Sequence, residues 1–129
     1  MANAWKEDYI DKTLMSSGNL QHAAIAGLDG QIWASSDDFK ITPAEVGMLI
    51  RGFTTGDSLR QNGLLIGGVK YILLQADDSV VLGRKQQTGV CAGKSSTAVV
   101  IGVYGADHVA GNANKAVQSL AQYLIGQGI

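Results

Sequence analysis

Residues 64–104 read LLIGGVKYILLQADDSVVLGRKQQTGVCAGKSSTAVVIGVY. Short runs rich in Val, Ile, Leu and Tyr are broken at Gly67-Gly68, at Asp77-Asp78, and across residues 86–89 and 94–96. Branched and aromatic side chains suit a pleated surface, and Gly, Asp and Ser supply the turns between runs. Each break is of turn length, far too short for a crossover helix, so neighbouring strands pair antiparallel in a meander.

Upstream, the runs 22–28 and 32–35 flank Asp29-Gly30, a dipeptide that tolerates the positive φ angles of a tight hairpin. Thr42-Pro43-Ala44-Glu45 has the capping-box arrangement, with Thr42 at N-cap, Pro43 at the first helical position and Glu45 reaching back. Val46, Leu49, Ile50 and Phe53 follow at helical spacing, and residues 57–61 suit one more short helix. At the start, Asn3 can cap a helix of about ten residues in which Trp5 and Tyr9 share one face and Ile10 and Leu14 another. The aliphatic pair is the core face, which leaves the Trp/Tyr pair pointing elsewhere. After a loop at 105–110, Ala113, Ala116, Val117, Leu120, Ala121 and Leu124 stripe a last helix that Gly126 and Gly128 stop, with Tyr123 at the edge of the stripe. Helix, hairpin, helix, meander, helix is the order of an α+β domain whose antiparallel sheet is covered by helices.

At 129 residues the chain fits one domain, 1–129. It is 46% hydrophobic and 16% charged, enough apolar surface to offset the entropy of ordering. A net charge of -1 argues against nucleic acid as a partner. The charge is uneven: residues 1–59 carry four bases and eight acids, whereas 60–94 carry Arg60, Lys70, Arg84, Lys85 and Lys94 against Asp77 and Asp78. Such a basic middle suits an acidic partner or an anionic lipid, or is simply a solvated strand face. The start is too acidic and polar for a secretory signal, and the apolar run 98–104 is far too short to span a bilayer. Cys91 is the single cysteine, which leaves no internal disulfide and points to an inert buried thiol.

Signs of catalysis are missing. Gly89-Val90-Cys91-Ala92-Gly93-Lys94-Ser95 resembles a phosphate-binding loop, but three residues instead of four separate its glycines and a strand follows. His22 and His108 lack ligand-spaced partners, and Asp77-Asp78 sits at a turn, so neither a metal site nor a nucleophile pair is indicated. What remains is aromatic. If the terminal helices lie side by side, Trp5, Tyr9, Trp33 and Tyr123 converge on one shelf, suited to an extended proline-rich peptide whose preformed shape costs little entropy to dock.

These residues resemble the profilins over nearly the whole chain. The resemblance rests on Trp5-Lys6-Glu7-Asp8-Tyr9-Ile10-Asp11, Ala23-Ala24-Ile25, Asp29-Gly30 with Trp33-Ala34, Thr42-Pro43-Ala44-Glu45, Asn62-Gly63-Leu64, Gly68-Val69-Lys70-Tyr71 and Tyr123-Leu124-Ile125-Gly126-Gln127-Gly128, in the family's order. It implies a central antiparallel sheet of about six or seven strands, with the N- and C-terminal helices on one face and the middle helices on the other. It further implies a non-enzymatic, cofactor-free monomer in the cytoplasm, at the cytoskeleton and cell cortex. Such a protein binds monomeric actin, speeds its nucleotide exchange, and sequesters ATP-actin or delivers it to filament barbed ends. It also binds proline-rich proteins such as formins, and phosphoinositides.

Carried over by position, the polyproline groove is Trp5, Tyr9, Trp33 and Tyr123, and the actin contacts are Lys70, Arg84, Lys85, Gly111, Asn114 and Lys115. The phosphoinositide set is Lys70, Arg84, Lys85, Lys94 and Lys115. Departures from the family pattern are the four-residue step from Trp5 to Tyr9 where most members have three, Ile129 where vertebrate members have an aromatic, Gln75 for an Arg, and Val109 for a His. The hairpin segment Gly27-Leu28-Asp29-Gly30-Gln31-Ile32-Trp33-Ala34-Ser35-Ser36 also looks like the opening of roadblock-like or longin-like adaptor domains, which pair as dimeric scaffolds.

Overall fold

The computed structural model describes residues 9–10, 14–36 and 39–129. Seven strands form one antiparallel sheet: β1 (His22–Gly27), β2 (Ile32–Ser35), β3 (Leu64–Ile66), β4 (Val69–Ala76), β5 (Val80–Lys85), β6 (Thr88–Lys94) and β7 (Ala98–Tyr104). Their order across the sheet is β2-β1-β7-β6-β5-β4-β3, so the meander expected over 64–104 closes onto the early hairpin through β7. Among the described residues, three α-helices accompany the sheet: α1 (Pro43–Gly52), α2 (Asp57–Asn62) and α3 (Ala110–Gly126). Asn3, expected to cap a first helix, and most of that helix lie outside the described residues; Tyr9, Ile10 and Leu14 are helical.

Side-chain parity sorts the sheet into two cores. In β7, Val99, Ile101 and Val103 face one side with Val46, Leu49 and Phe53 of α1 and its C-terminus and Leu59 of α2. Ala98, Val100 and Tyr104 face the other with Ala113, Val117, Leu120, Ala121 and Leu124 of α3 and with Ile10 and Leu14. The terminal helices thus share one face and the middle helices the other, as the resemblance implies. Ala116, expected in the α3 stripe, is only half-buried because it lies toward a surface groove.

Local chemistry accounts for the turns. Asp29 Oδ1 accepts the Gln31 N–H at 3.1 Å, and Gly30 takes a φ of 92° in the β1–β2 turn. The α1 capping box forms in full. Its Glu45 is buried and does more than cap: one carboxylate oxygen accepts the N–H groups of Thr42 and Gly67 at 3.0 and 2.9 Å, and the other that of Gly68 at 2.9 Å. Gly67 and Gly68 both have positive φ, 62° and 80°, which a two-residue hairpin of this hand requires. One carboxylate therefore ties the start of α1 to the β3–β4 turn. Asp77 Oδ1 accepts from Ser79 and Val80, which makes the Asp77-Asp78 break a turn.

Candidate functional site

On the α3 face of the sheet, the rings of Tyr9 and Tyr123 meet with centroids 6.1 Å apart and planes tilted by 45°. Tyr123 is 51% exposed, at the edge of the α3 stripe. Tyr9 and Trp33 are half-buried and pack against the same core as α3. Trp33 lies across Gly27, where a Cβ would come within 2.9 Å of the indole Nε1, so the missing side chain at Gly27 makes room for the ring. Tyr9, Trp33 and Tyr123 thus share one face of the molecule; Trp5 lies outside the described residues. From the tyrosine pair an open groove of about 700 Å³ runs along α3, lined by Asn19, Asn112, Lys115, Ala116, Ser119 and Leu120.

A second surface arises because α3 packs over β6 and β7 and stops short of β4. The outer face of β4 is left bare, with Ile72 at 74% and Leu74 at 60% exposure. Arg84 is the register partner of Ile72 on β5. Lys70, Arg84 and Lys85 gather with Arg60 around a depression of about 460 Å³ that Ile72 also lines. The Arg84 Nε donates to the Gln86 carbonyl at 2.7 Å, which anchors that side chain to its own turn. Gly111 and Asn114, at the start of α3, border a narrow gap of about 170 Å³ next to Leu74 and Leu82.

The expected cations therefore do not form one cluster. Lys70, Arg84 and Lys85 come together; Lys94 instead sits 5.9 Å from the centre of the Phe53 ring, and Lys115 lines the aromatic groove. Asn114 lies on the opposite flank of α3 from Tyr123, while Gly111 and Lys115, four residues apart, stand one above the other between them.

Of the segment resembling a phosphate loop, residues 89–94 are an extended strand paired on both sides. Burial pushes the Cys91 thiol up to about 12, which keeps it protonated and unreactive. His108 Nδ1 accepts the Gly105 N–H at 2.9 Å, and His22 stacks on Phe39 with centroids 5.2 Å apart. Among the described residues, no group of three His, Cys, Asp or Glu side chains could hold a metal ion, and no helix is long and apolar enough to cross a membrane.

The profilin family pattern matches residues 3–129. The chain belongs to the profilin family. It is 42% identical over 122 residues to profilin-1B of Acanthamoeba castellanii, covering 95% of this chain and 97% of that one. The structure of profilin IA from the same organism superposes with a TM-score of 0.93 at 41% identity, covering 97% of this chain and 99% of that one. Mouse profilin IIa in complex with a double repeat from the FH1 domain of mDia1 superposes with a TM-score of 0.79 at 26% identity, covering 96% and 99%. Profilins are non-enzymatic actin-binding proteins. The hairpin that also resembles adaptor domains is, in this profilin, β1 and β2.

Ile72 and Leu74 were not singled out from the sequence of this profilin, and Arg60, named in its basic middle, was not among the site residues. A signal for the first two exists in Ile72-Leu73-Leu74, since apolar residues at both parities mean that both faces of β4 are apolar. Arg60 was hidden by its place on α2, which only the fold brings beside Lys70.

Proposed function

We propose that this profilin, acting as one domain and as a monomer, binds monomeric actin through the outer face of β4 and β5 with the start of α3. The observation that carries this reading is the bare Ile72 and Leu74 face flanked by Lys70, Arg84 and Lys85. An exposed apolar patch with a polar rim is the mark of a protein interface. The cations would steer the acidic surface of actin and speed encounter more than they add affinity. Proline-rich ligands, formins among them, would lie on Trp5, Tyr9, Trp33 and Tyr123, with phenol and indole groups bonding to carbonyls that a polyproline II helix leaves unpaired. Because the β4 face and Asn114 lie across α3 from Tyr123, both ligands can be held at once. Sequestration of ATP-actin, its delivery to filament barbed ends and faster nucleotide exchange follow from that arrangement in the cytoplasm and at the cell cortex. A phosphoinositide headgroup suits the depression of Arg60, Lys70, Arg84 and Lys85, where it would compete with actin; Lys94 and Lys115 stand apart from it.

The test measures two ligands on the same variants. Tyr123→Ala and Trp5→Ala are expected to lower retention on immobilised poly-L-proline by about 1 to 3 kcal/mol each while leaving actin binding intact. Arg84→Glu is expected to do the reverse. Parallel loss of both ligands in folded variants would contradict two separate surfaces.

A further inference from the structure

The groove along α3 extends well beyond the Tyr9 and Tyr123 rings, and its chemistry changes on the way. Along α3, Leu120, Ser119 and Ala116 come next to Tyr123, and Lys115 and Asn112 stand further on. A proline run offers carbonyls but no N–H groups, so the Asn112 amide, which both donates and accepts, is better matched to a backbone that is no longer proline. Lys115 is the one charged residue among the described residues lining the groove, it is exposed, and no described carboxylate pairs with it. We infer that this stretch seats the residues flanking a proline run and that Lys115 there selects an acidic side chain. The inference rests on the polyproline reading above and adds to it a specificity for the flanking sequence.

Helix geometry sets where the acid should fall. Eight residues separate Lys115 from Tyr123, a rise of about 12 Å along α3 at ~1.5 Å per residue. A polyproline II chain advances ~3.1 Å per residue, so the acidic side chain belongs about four residues beyond the proline packed on Tyr123. The groove ends near Asn112, about 16 Å along α3 from Tyr123, which leaves room for about five flanking residues.

The experiment titrates decaproline and decaproline peptides extended at either end by five residues that carry one Glu, or a Gln in its place, at each position in turn. The Glu peptide is expected to bind about two- to fivefold tighter than its Gln twin at low salt, with the largest effect at or before the fourth residue and none beyond the fifth, and to lose that preference at high salt. Lys115→Gln is expected to bind decaproline like the wild type and to show no difference between Glu and Gln peptides. Equal binding of the two peptides by the wild type, or a preference that survives in Lys115→Gln, overturns the inference and leaves the polyproline reading standing. Failure of decaproline itself to bind the folded wild type overturns both.

Discussion

Truncating Ile72 to alanine tests the proposed actin surface most directly. Full burial of an isoleucine side chain contributes about 1.5 to 3 kcal/mol. In the free protein 74% of Ile72 is exposed, so most of that gain is still available to a partner that covers β4. Ile72→Ala should therefore weaken actin binding by about 1 to 2 kcal/mol, or roughly five- to thirtyfold in Kd. The loss should appear mainly as faster dissociation, whereas Arg84→Glu should slow association and reduce its salt dependence. Stability should change by less than about 1 kcal/mol, since the side chain has little packing to lose on the bare face. A fluorescence titration of labelled actin monomers with stopped-flow dissociation gives both quantities, and poly-L-proline retention serves as the control. If Ile72→Ala and the harsher Ile72→Asp both bind actin as the wild type does, the outer face of β4 is not the interface.

Three further outcomes concern the fold and its titrating groups. Glu45→Ala removes the acceptor of three backbone N–H groups and should cost about 2 to 4 kcal/mol in denaturant unfolding, against about 1 for Thr42→Ala; equal costs would show that the bonds to Gly67 and Gly68 contribute nothing. Backbone N–H groups of Ser79 and Val80, with the Gln75 amide, hold the Asp77 carboxyl below the usual carboxylate range. Its folded-state pKa is lower than its unfolded one, so its contribution is complete above about pH 4 to 5 and fades as the pH falls through the folded value. The stability gap between wild type and Asp77→Asn should close over that acid range, and a gap that persists below it would refute the assignment. Cys91 should give no reaction with an aromatic disulfide reagent at pH 8 in the folded protein and one equivalent after unfolding; prompt native labelling would contradict its burial.

Features that depend on neighbours in the chain could be read without the fold. The Thr42 to Glu45 cap, the turns at Asp29-Gly30, Gly67-Gly68 and Asp77-Asp78, and the Ile10 and Leu14 core pair are each fixed by side chains a few residues apart. Their energies are local, so spacing was enough. The second role of Glu45 was not legible, because Gly67 and Gly68 reach its carboxylate only after β3 and β4 fold back on α1. Nor was the grouping of the cations: Lys70, Arg84 and Lys85 meet Arg60 across strands and α2, while Lys94 and Lys115 are carried elsewhere.

Linear order therefore determined the strands, the middle and last helices and the family pattern. Three-dimensional packing alone decided which surfaces were left open. β7 joins the meander to the hairpin by pairing residues as distant as His22 and Val103, and α3 then covers β6 and β7 but not the outer face of β4. Hydropathy marks Ile72 and Leu74 as apolar as any core residue, yet both are exposed. What covers them depends on where a helix nearly forty residues downstream comes to rest, and that position is set by long-range burial, which no local pattern encodes.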